Sequence, residues 1–122
     1  MYESRIYIVA PTGQRDSKSG KYFAETLAVF NLGYVDSMID IPVSKHWKPT
    51  NYFVYADDGE TEILEDNYGD ELKELTVDDL IGKLTFTDVI AVSRRAATLV
   101  SALRIIRLVY DKNDIVCLHY GY

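Results

Sequence analysis

The chain has 122 residues, 48% of them hydrophobic and 26% charged, with a formal net charge of −6. That describes one soluble globular domain, long enough to bury roughly two-thirds of its unfolded surface. No apolar run approaches the roughly 20 residues that cross a bilayer, so no membrane partner is expected. The start, Met1-Tyr2-Glu3-Ser4-Arg5, leads straight into an apolar strand and lacks the basic n-region and cleavage site of a secretory signal. One cysteine, Cys117, excludes an internal disulfide and reads as a buried structural thiol. The cytoplasm is the compartment these features suit.

In chain order, Arg5 to Ala10 is rich in β-branched and aromatic residues and predicts a strand. Pro11 to Lys21, with its Gly, Ser and Asp residues, predicts a loop. From Tyr22 to Leu32 the apolar positions Phe23, Leu27 and Phe30 predict an amphipathic helix, stopped by Gly33. Met38 to Val43 predicts a second strand, with Pro42 marking an edge or a strand end. Tyr52 to Tyr55 and Glu60 to Leu64 flank Ala56-Asp57-Asp58-Gly59, a hairpin signal because Asp-Gly supplies positive φ. Thr76 followed by Asp79 resembles a capping box opening a helix over Val77 to Leu84. Asp88 to Ser93 predicts another strand. It is followed by a helix whose one face holds Ala96, Leu99, Val100 and Leu103 and whose other holds Arg94, Thr98 and Ser101. Arg104 and Arg107 interrupt the apolar face, so that helix is expected to end near residue 103. Ile105 to Tyr110 and Ile115 to Tyr120 then predict a terminal hairpin about Asp111-Lys112-Asn113-Asp114.

The two strand-loop-helix units, one at each end, predict an α/β fold with a Rossmann-like, mainly parallel sheet. The acidic hairpin is an insertion in it and the C-terminal hairpin an addition. In such sheets ligands sit beyond the carboxyl ends of the strands. The charge is uneven. Residues 57–79 hold eleven carboxylates and one lysine, against net charges of +1 before them and +3 after. The acidic run is unsuited to phosphate contacts, so no nucleic acid is expected there. It reads either as a solvated face or as a surface that docks on a basic protein.

Candidate chemistry is sparse. Gly13 to Lys21 fails as a phosphate loop, because six residues separate Gly13 from Gly20 and Tyr22 stands where Ser or Thr would hold magnesium. His46 and His119 have no partners at metal-ligand spacing, so no metal or cofactor is expected. His46-Trp47 offers either a loop anchor or a stacking surface. Asp88 opens a strand, where a carboxylate caps backbone or faces a strand-end site. Arg94 and Arg95 begin a helix, against the dipole's preference. They read either as solvated or as holding a phosphate or carboxylate. Ten tyrosines favour packing, interfaces or pockets.

Ile6-Tyr7-Ile8-Val9-Ala10-Pro11, Gly33-Tyr34, Pro42, and Asp88-Val89-Ile90 followed by Ser93-Arg94-Arg95-Ala96 resemble the nucleoside 2-deoxyribosyltransferase-like group. The resemblance covers roughly residues 5–43 and 76–110. It implies a Rossmann-like sheet, with Tyr7 at the site, Asp88 contacting a base and Ser93 in the matching loop. The family's catalytic glutamate has no counterpart: Thr98, Leu99 and Val100 occupy that stretch, and no carboxylate lies between Asp88 and Asp111. Arg95 also replaces a loop glycine. The expectation is therefore noncatalytic binding of a nucleoside- or nucleotide-like small molecule. Tyr7, His46 and Trp47 would stack, Asp88 would read the base, Arg94 and Arg95 would meet phosphate, and Ser93 would sit in the matching loop. Two alternatives stand beside it. One is a small interaction protein, of the kind phages and mobile elements encode, docking a basic partner through residues 57–79. The other is an active nucleoside transferase or hydrolase with a carboxylate drawn from elsewhere or from a neighbouring subunit. Homo-oligomerisation is left open.

Overall fold

The computed structural model describes residues 2–35, 48–65, 69, 71–86 and 94–121. Its elements in chain order are β1 (Tyr2–Arg15), β2 (Tyr22–Val35), β3 (Lys48–Pro49), β4 (Tyr52–Tyr55), β5 (Glu62–Ile63), β6 (Lys73–Leu75), α1 (Val77–Phe86), α2 (Arg94–Val109) and β7 (Val116–Gly121). The fold is α/β, with one seven-stranded sheet in the order β3-β6-β7-β1-β2-β4-β5. The expected mainly parallel, Rossmann-like sheet is not what forms. Among the described strands only β2 and β4 pair in parallel; β1–β2, β1–β7, β3–β6, β4–β5 and β6–β7 are antiparallel.

The largest departure is at Tyr22 to Leu32, which is strand rather than helix. β1 and β2 form a long antiparallel hairpin with Ile8 opposite Ala28 and then Val9 opposite Thr26, so Leu27 is an extra, bulged residue. A second extra residue, Leu32, falls between the pairs Arg5–Asn31 and Ser4–Gly33. The Leu27 bulge shifts the period-two alternation by one residue. The spacing Phe23, Leu27, Phe30 thereby imitates a helical stripe, whereas Tyr22, Phe23, Thr26, Val29 and Phe30 have the shapes that pack on a pleated surface. Gly33 lies in the strand and stops nothing. The loop joining the two strands closes on itself: Asp16 N donates to Lys21 O at 2.8 Å, and Ser19 N and Oγ both donate to Asp16 Oδ2.

The sheet curls. β3 and β4 lie toward opposite ends of the strand order, yet only Thr50 and Asn51 separate them, a span of about 11 Å at most. Leu72 N donates to Leu64 O, and Glu65 bridges Glu71, joining the end of β5 to the start of β6. The concave side encloses Tyr7, Val9, Ala24, Val54, Leu72 and Leu118. Ile6, Ile8, Ile115 and Cys117 point to the convex side, where α1 and α2 cover them with Val77, Leu80, Leu84, Ala96, Leu99, Val100 and Leu103. Alternation along β1 and β7 thus feeds two cores, one on each face.

α1 follows its cap. Thr76 Oγ1 accepts from Asp79 N at 3.1 Å, as the capping-box spacing predicts, and Asp78 and Asp79 suit the positive end of α1. The predicted buried face of α2, Ala96, Leu99, Val100 and Leu103, is the one that packs. The helix runs on to Val109, and the expected strand over Ile105 to Tyr110 is its last turns; the turn at residues 111–114 leads from α2 to β7, so there is no terminal hairpin. Arg107, which breaks the apolar pattern, ties this end down. Its Nε donates to Asp78 Oδ1 at 2.8 Å and its Nη1 to Tyr110 O at 2.9 Å. The hydrogen bond from Arg107 holds the Asp78 carboxyl below its usual range. A depressed carboxylate adds stability above its unfolded pKa and loses it as the pH falls through the folded pKa. Asp78→Asn is therefore expected to lower the melting temperature by a few degrees at neutral pH, the pair being half exposed. Wild type and variant should converge at acid pH, once the pH has fallen through the folded pKa of Asp78. An equal gap at both pH values in thermal denaturation would remove the ion pair from the account.

The predicted strands Met38 to Val43 and Asp88 to Ser93 lie outside the described residues. The predicted acidic hairpin does form, with Val54 opposite Ile63 and Tyr55 opposite Glu62. Gly59 turns it at φ +74°, where glycine avoids the steric cost of a side chain. Among the described residues, no helix is long and apolar enough to cross a membrane.

Candidate binding groove

Of the residues expected at the site, His46, Trp47, Asp88 and Ser93 lie outside the described residues. Tyr7 is 6% exposed and packs inside the concave core, on the face of the sheet away from the helices. It lies there among Val9, Ala24, Val54, Leu72 and Leu118. Arg94 and Arg95 are exposed in the first turn of α2, and Arg95 Nη1 donates to Asn31 O at 3.3 Å. The structure does not bring these arginines to Tyr7.

A different feature has the dimensions of a ligand site. An open groove of about 430 Å³ lies between the ends of β1 and β2 and the end of β4, lined by Thr12, Phe23, Ala24, Glu25, Thr26, Tyr55 and Ala56. This volume falls in the range of small-molecule pockets. Its aromatic wall follows from the parallel pairing of β2 with β4, which sets Tyr22 beside Tyr52 and Phe23 beside Phe53. Phe23 and Phe53 meet edge to face at 4.9 Å, and Phe53 meets Tyr55 at 5.3 Å and 90°. Phe53 is fully buried and anchors the other two, while Phe23 and Tyr55 remain half-buried. Edge-to-face pairs of this kind fix ring orientation and hold a flat surface in place. Thr12 Oγ1 donates to Phe23 O at 3.1 Å and accepts from Gln14 N, which pins the β1 side of the groove.

Beside this wall lies a small acidic cluster. Tyr55 is the cross-strand partner of Glu62, and both feel the charge of Asp16. Burial first, and the neighbouring Asp16 second, push the Glu62 carboxyl above its usual range. Hydrogen bonds from Ser19 hold Asp16 below its own. Burial, then Glu62 and Asp16, push the Tyr55 phenol up. With Glu25 on the rim, the groove is negatively polarised. Arg95, bonded at Asn31, stands about seven residues along β2 from Ala24, or roughly 20 Å.

The groove residues carry no motif. The legible signals were the surplus of tyrosines and the repeated Tyr-Phe pair at 22–23 and 52–53, whose parallel pairing builds the wall. Among the described residues no cluster of His, Cys, Asp and Glu is arranged to hold a metal ion. Cys117 is buried and burial raises its thiol pKa, which suits packing rather than nucleophilic chemistry.

Among the described residues, part of the acidic run is engaged within the chain. Glu71 pairs with Lys21 at 3.0 Å, Glu74 with Lys48 at 3.4 Å, and Asp78 with Arg107. Asp58 accepts from Glu60 N, Thr61 N and Thr61 Oγ1, shaping the hairpin turn. Three basic groups that charge balance alone would seek in a partner are therefore supplied by this chain. No family model, no curated protein and no solved structure matches the chain, so the groove stands on its own residues.

Proposed function

We propose that the chain is a noncatalytic binding protein for a nucleoside-like small molecule, held in the groove between β1, β2 and β4. The observation that carries this reading is the anchored aromatic wall, Phe23 and Tyr55 set by buried Phe53, facing a groove of about 430 Å³. A planar base stacks on such a surface at about 1–3 kcal/mol per contact. Glu25 and the Asp16–Glu62 pair suit donor groups on the base or sugar. The same charges oppose a phosphate, so the free nucleoside is favoured over the nucleotide. This moves the ligand from the strand-end residues that the parallel-sheet expectation selected to the hairpin side of the sheet.

Thermal denaturation against nucleosides and their monophosphates tests it. A ligand at 100 times its dissociation constant stabilises the native state by about 2.7 kcal/mol. At least one nucleoside is expected to raise the melting temperature, its monophosphate to do so less, and Phe23→Leu with Thr12→Val to remove the gain. Stabilisation by monophosphates alone would contradict the assignment. A hydrolytic reading has one observation in its favour, the opposed shifts of the Asp16 and Glu62 carboxyls, which is how acid and base pairs are set apart. Free base released in proportion to protein, and lost in Glu62→Gln, would establish that reading instead.

A further inference from the structure

β2 and β4 run side by side in the same direction, with Phe23 beside Phe53. Two residues further along each strand stand Glu25 and Tyr55, and both line the groove. Alternate side chains of a strand share a face, so Glu25 joins Phe23 and Tyr55 on the aromatic side. Glu62, the cross-strand partner of Tyr55 on β5, completes a row of carboxylate, ring and carboxylate. The two carboxylates differ. Glu62 shares a hydrogen bond with Asp16, whereas among the described residues no hydrogen bond or ion pair engages the exposed Glu25. The rings set the shape of what can bind. Phe23 and Tyr55 are 6.0 Å apart and tilted by 48°, too close for a planar group, which needs about 7 Å, to enter between them. A ligand therefore lies flat across the wall, rather than inside a cage of rings that would enclose an ammonium.

We propose that the groove selects guanine nucleosides, with the base stacked on Phe23 and Tyr55 and the Glu25 carboxylate accepting from its N1–H and N2–H groups. The inference rests on the nucleoside reading of the groove and adds the identity of the base. A carboxylate offers two acceptor oxygens and no donor. Guanine alone among the common bases sets two donors next to each other on its pairing edge. Adenine and cytosine set one amino group beside a ring-nitrogen acceptor there, and uracil flanks its single N–H with two carbonyls. Each of those acceptors meets a carboxylate oxygen with like partial charge. Neighbouring strands are about 4.8 Å apart, so a base stacked on Tyr55 brings its edge within reach of the Glu25 side chain on β2. Charge-assisted bidentate bonds of this kind are the strong ones. On the other side of Tyr55, the Asp16–Glu62 pair is left for the sugar hydroxyls.

Titration calorimetry on the full chain with guanosine, inosine, adenosine and cytidine tests the assignment. Guanosine is expected to bind about 10- to 100-fold more tightly than inosine, which differs only in lacking the N2 amino group. Adenosine and cytidine should bind no better than inosine. Glu25→Gln should bring guanosine down to the inosine level. The wild-type ratio of guanosine to inosine decides the matter even if that variant folds poorly. Adenosine or cytidine matching guanosine, or a guanosine-to-inosine ratio that survives Glu25→Gln, overturns this inference and leaves the nucleoside reading standing. No binding by any of the four, or binding of choline in preference to all of them, overturns both.

Discussion

Replacing Leu99 by alanine is expected to destabilise the protein by about 2–5 kcal/mol. Leu99 is fully buried at the centre of the α2 face that meets Ile6 and Ile8 of β1 and Leu80 and Leu84 of α1. Truncation removes transfer free energy and leaves a cavity between elements that cannot all close on it. Against a total stability of about 5–15 kcal/mol for a domain of this kind, that is a large share. Urea unfolding should show a lower midpoint with an unchanged slope, since the same surface is exposed on unfolding. Ser101→Ala, on the outward side of the same helix, should move stability by less than about 0.5 kcal/mol. A loss below 1 kcal/mol for Leu99→Ala would mean that α2 does not cover the sheet as described.

Tyr7→Ala is expected to cost about 3–5 kcal/mol, the range for truncating a buried aromatic ring. Tyr7 packs on the concave side with Val9, Val54, Leu72 and Leu118, at the middle of the central strand β1. Tyr7→Phe keeps the ring and should cost about 1 kcal/mol or less, one hydrogen bond at most. The two variants separate packing from ligand contact. A residue that stacked on a ligand would lose affinity on substitution while the fold held. Here stability should fall with ring size, and Tyr7→Phe should bind nucleosides as the wild type does. An alanine variant as stable as the wild type would return Tyr7 to a binding role.

What the sequence made legible follows from how local each determinant is. β1, the Asp-Gly hairpin, the Thr76 cap and the buried face of α2 rest on a strand's own composition, one turn dipeptide, one side-chain bond and one helical period. All four are found. β2 was hidden because its bulge at Leu27 is set by pairing with β1, a contact no window on β2 contains. The end of α2 was hidden because Arg107 looks like a polar interruption until Asp78 of α1 is beside it. Its apolar outer residues then read as a strand, since Ile105, Ile106, Leu108 and Val109 face both sides of the helix. A helix over Tyr22 to Leu32 implies a parallel crossover, whereas the strand that forms there pairs with β1 as an antiparallel hairpin, so this one segment sets the direction of the sheet. The groove was out of reach for a similar reason. Phe23 and Tyr55 lie 32 positions apart and meet only through the β2–β4 pairing.

We propose that a nucleoside binds in the groove rather than at the start of α2. Amide chemical-shift mapping by NMR tests it most directly, by adding a nucleoside that stabilises the protein to the labelled full chain. The expected result is saturable movement of the Thr12, Ala24, Glu25, Tyr55 and Ala56 amides, with those of Arg94 and Arg95 unmoved. Shifts confined to Arg94 and Arg95, or no saturable shift with any nucleoside, would contradict it.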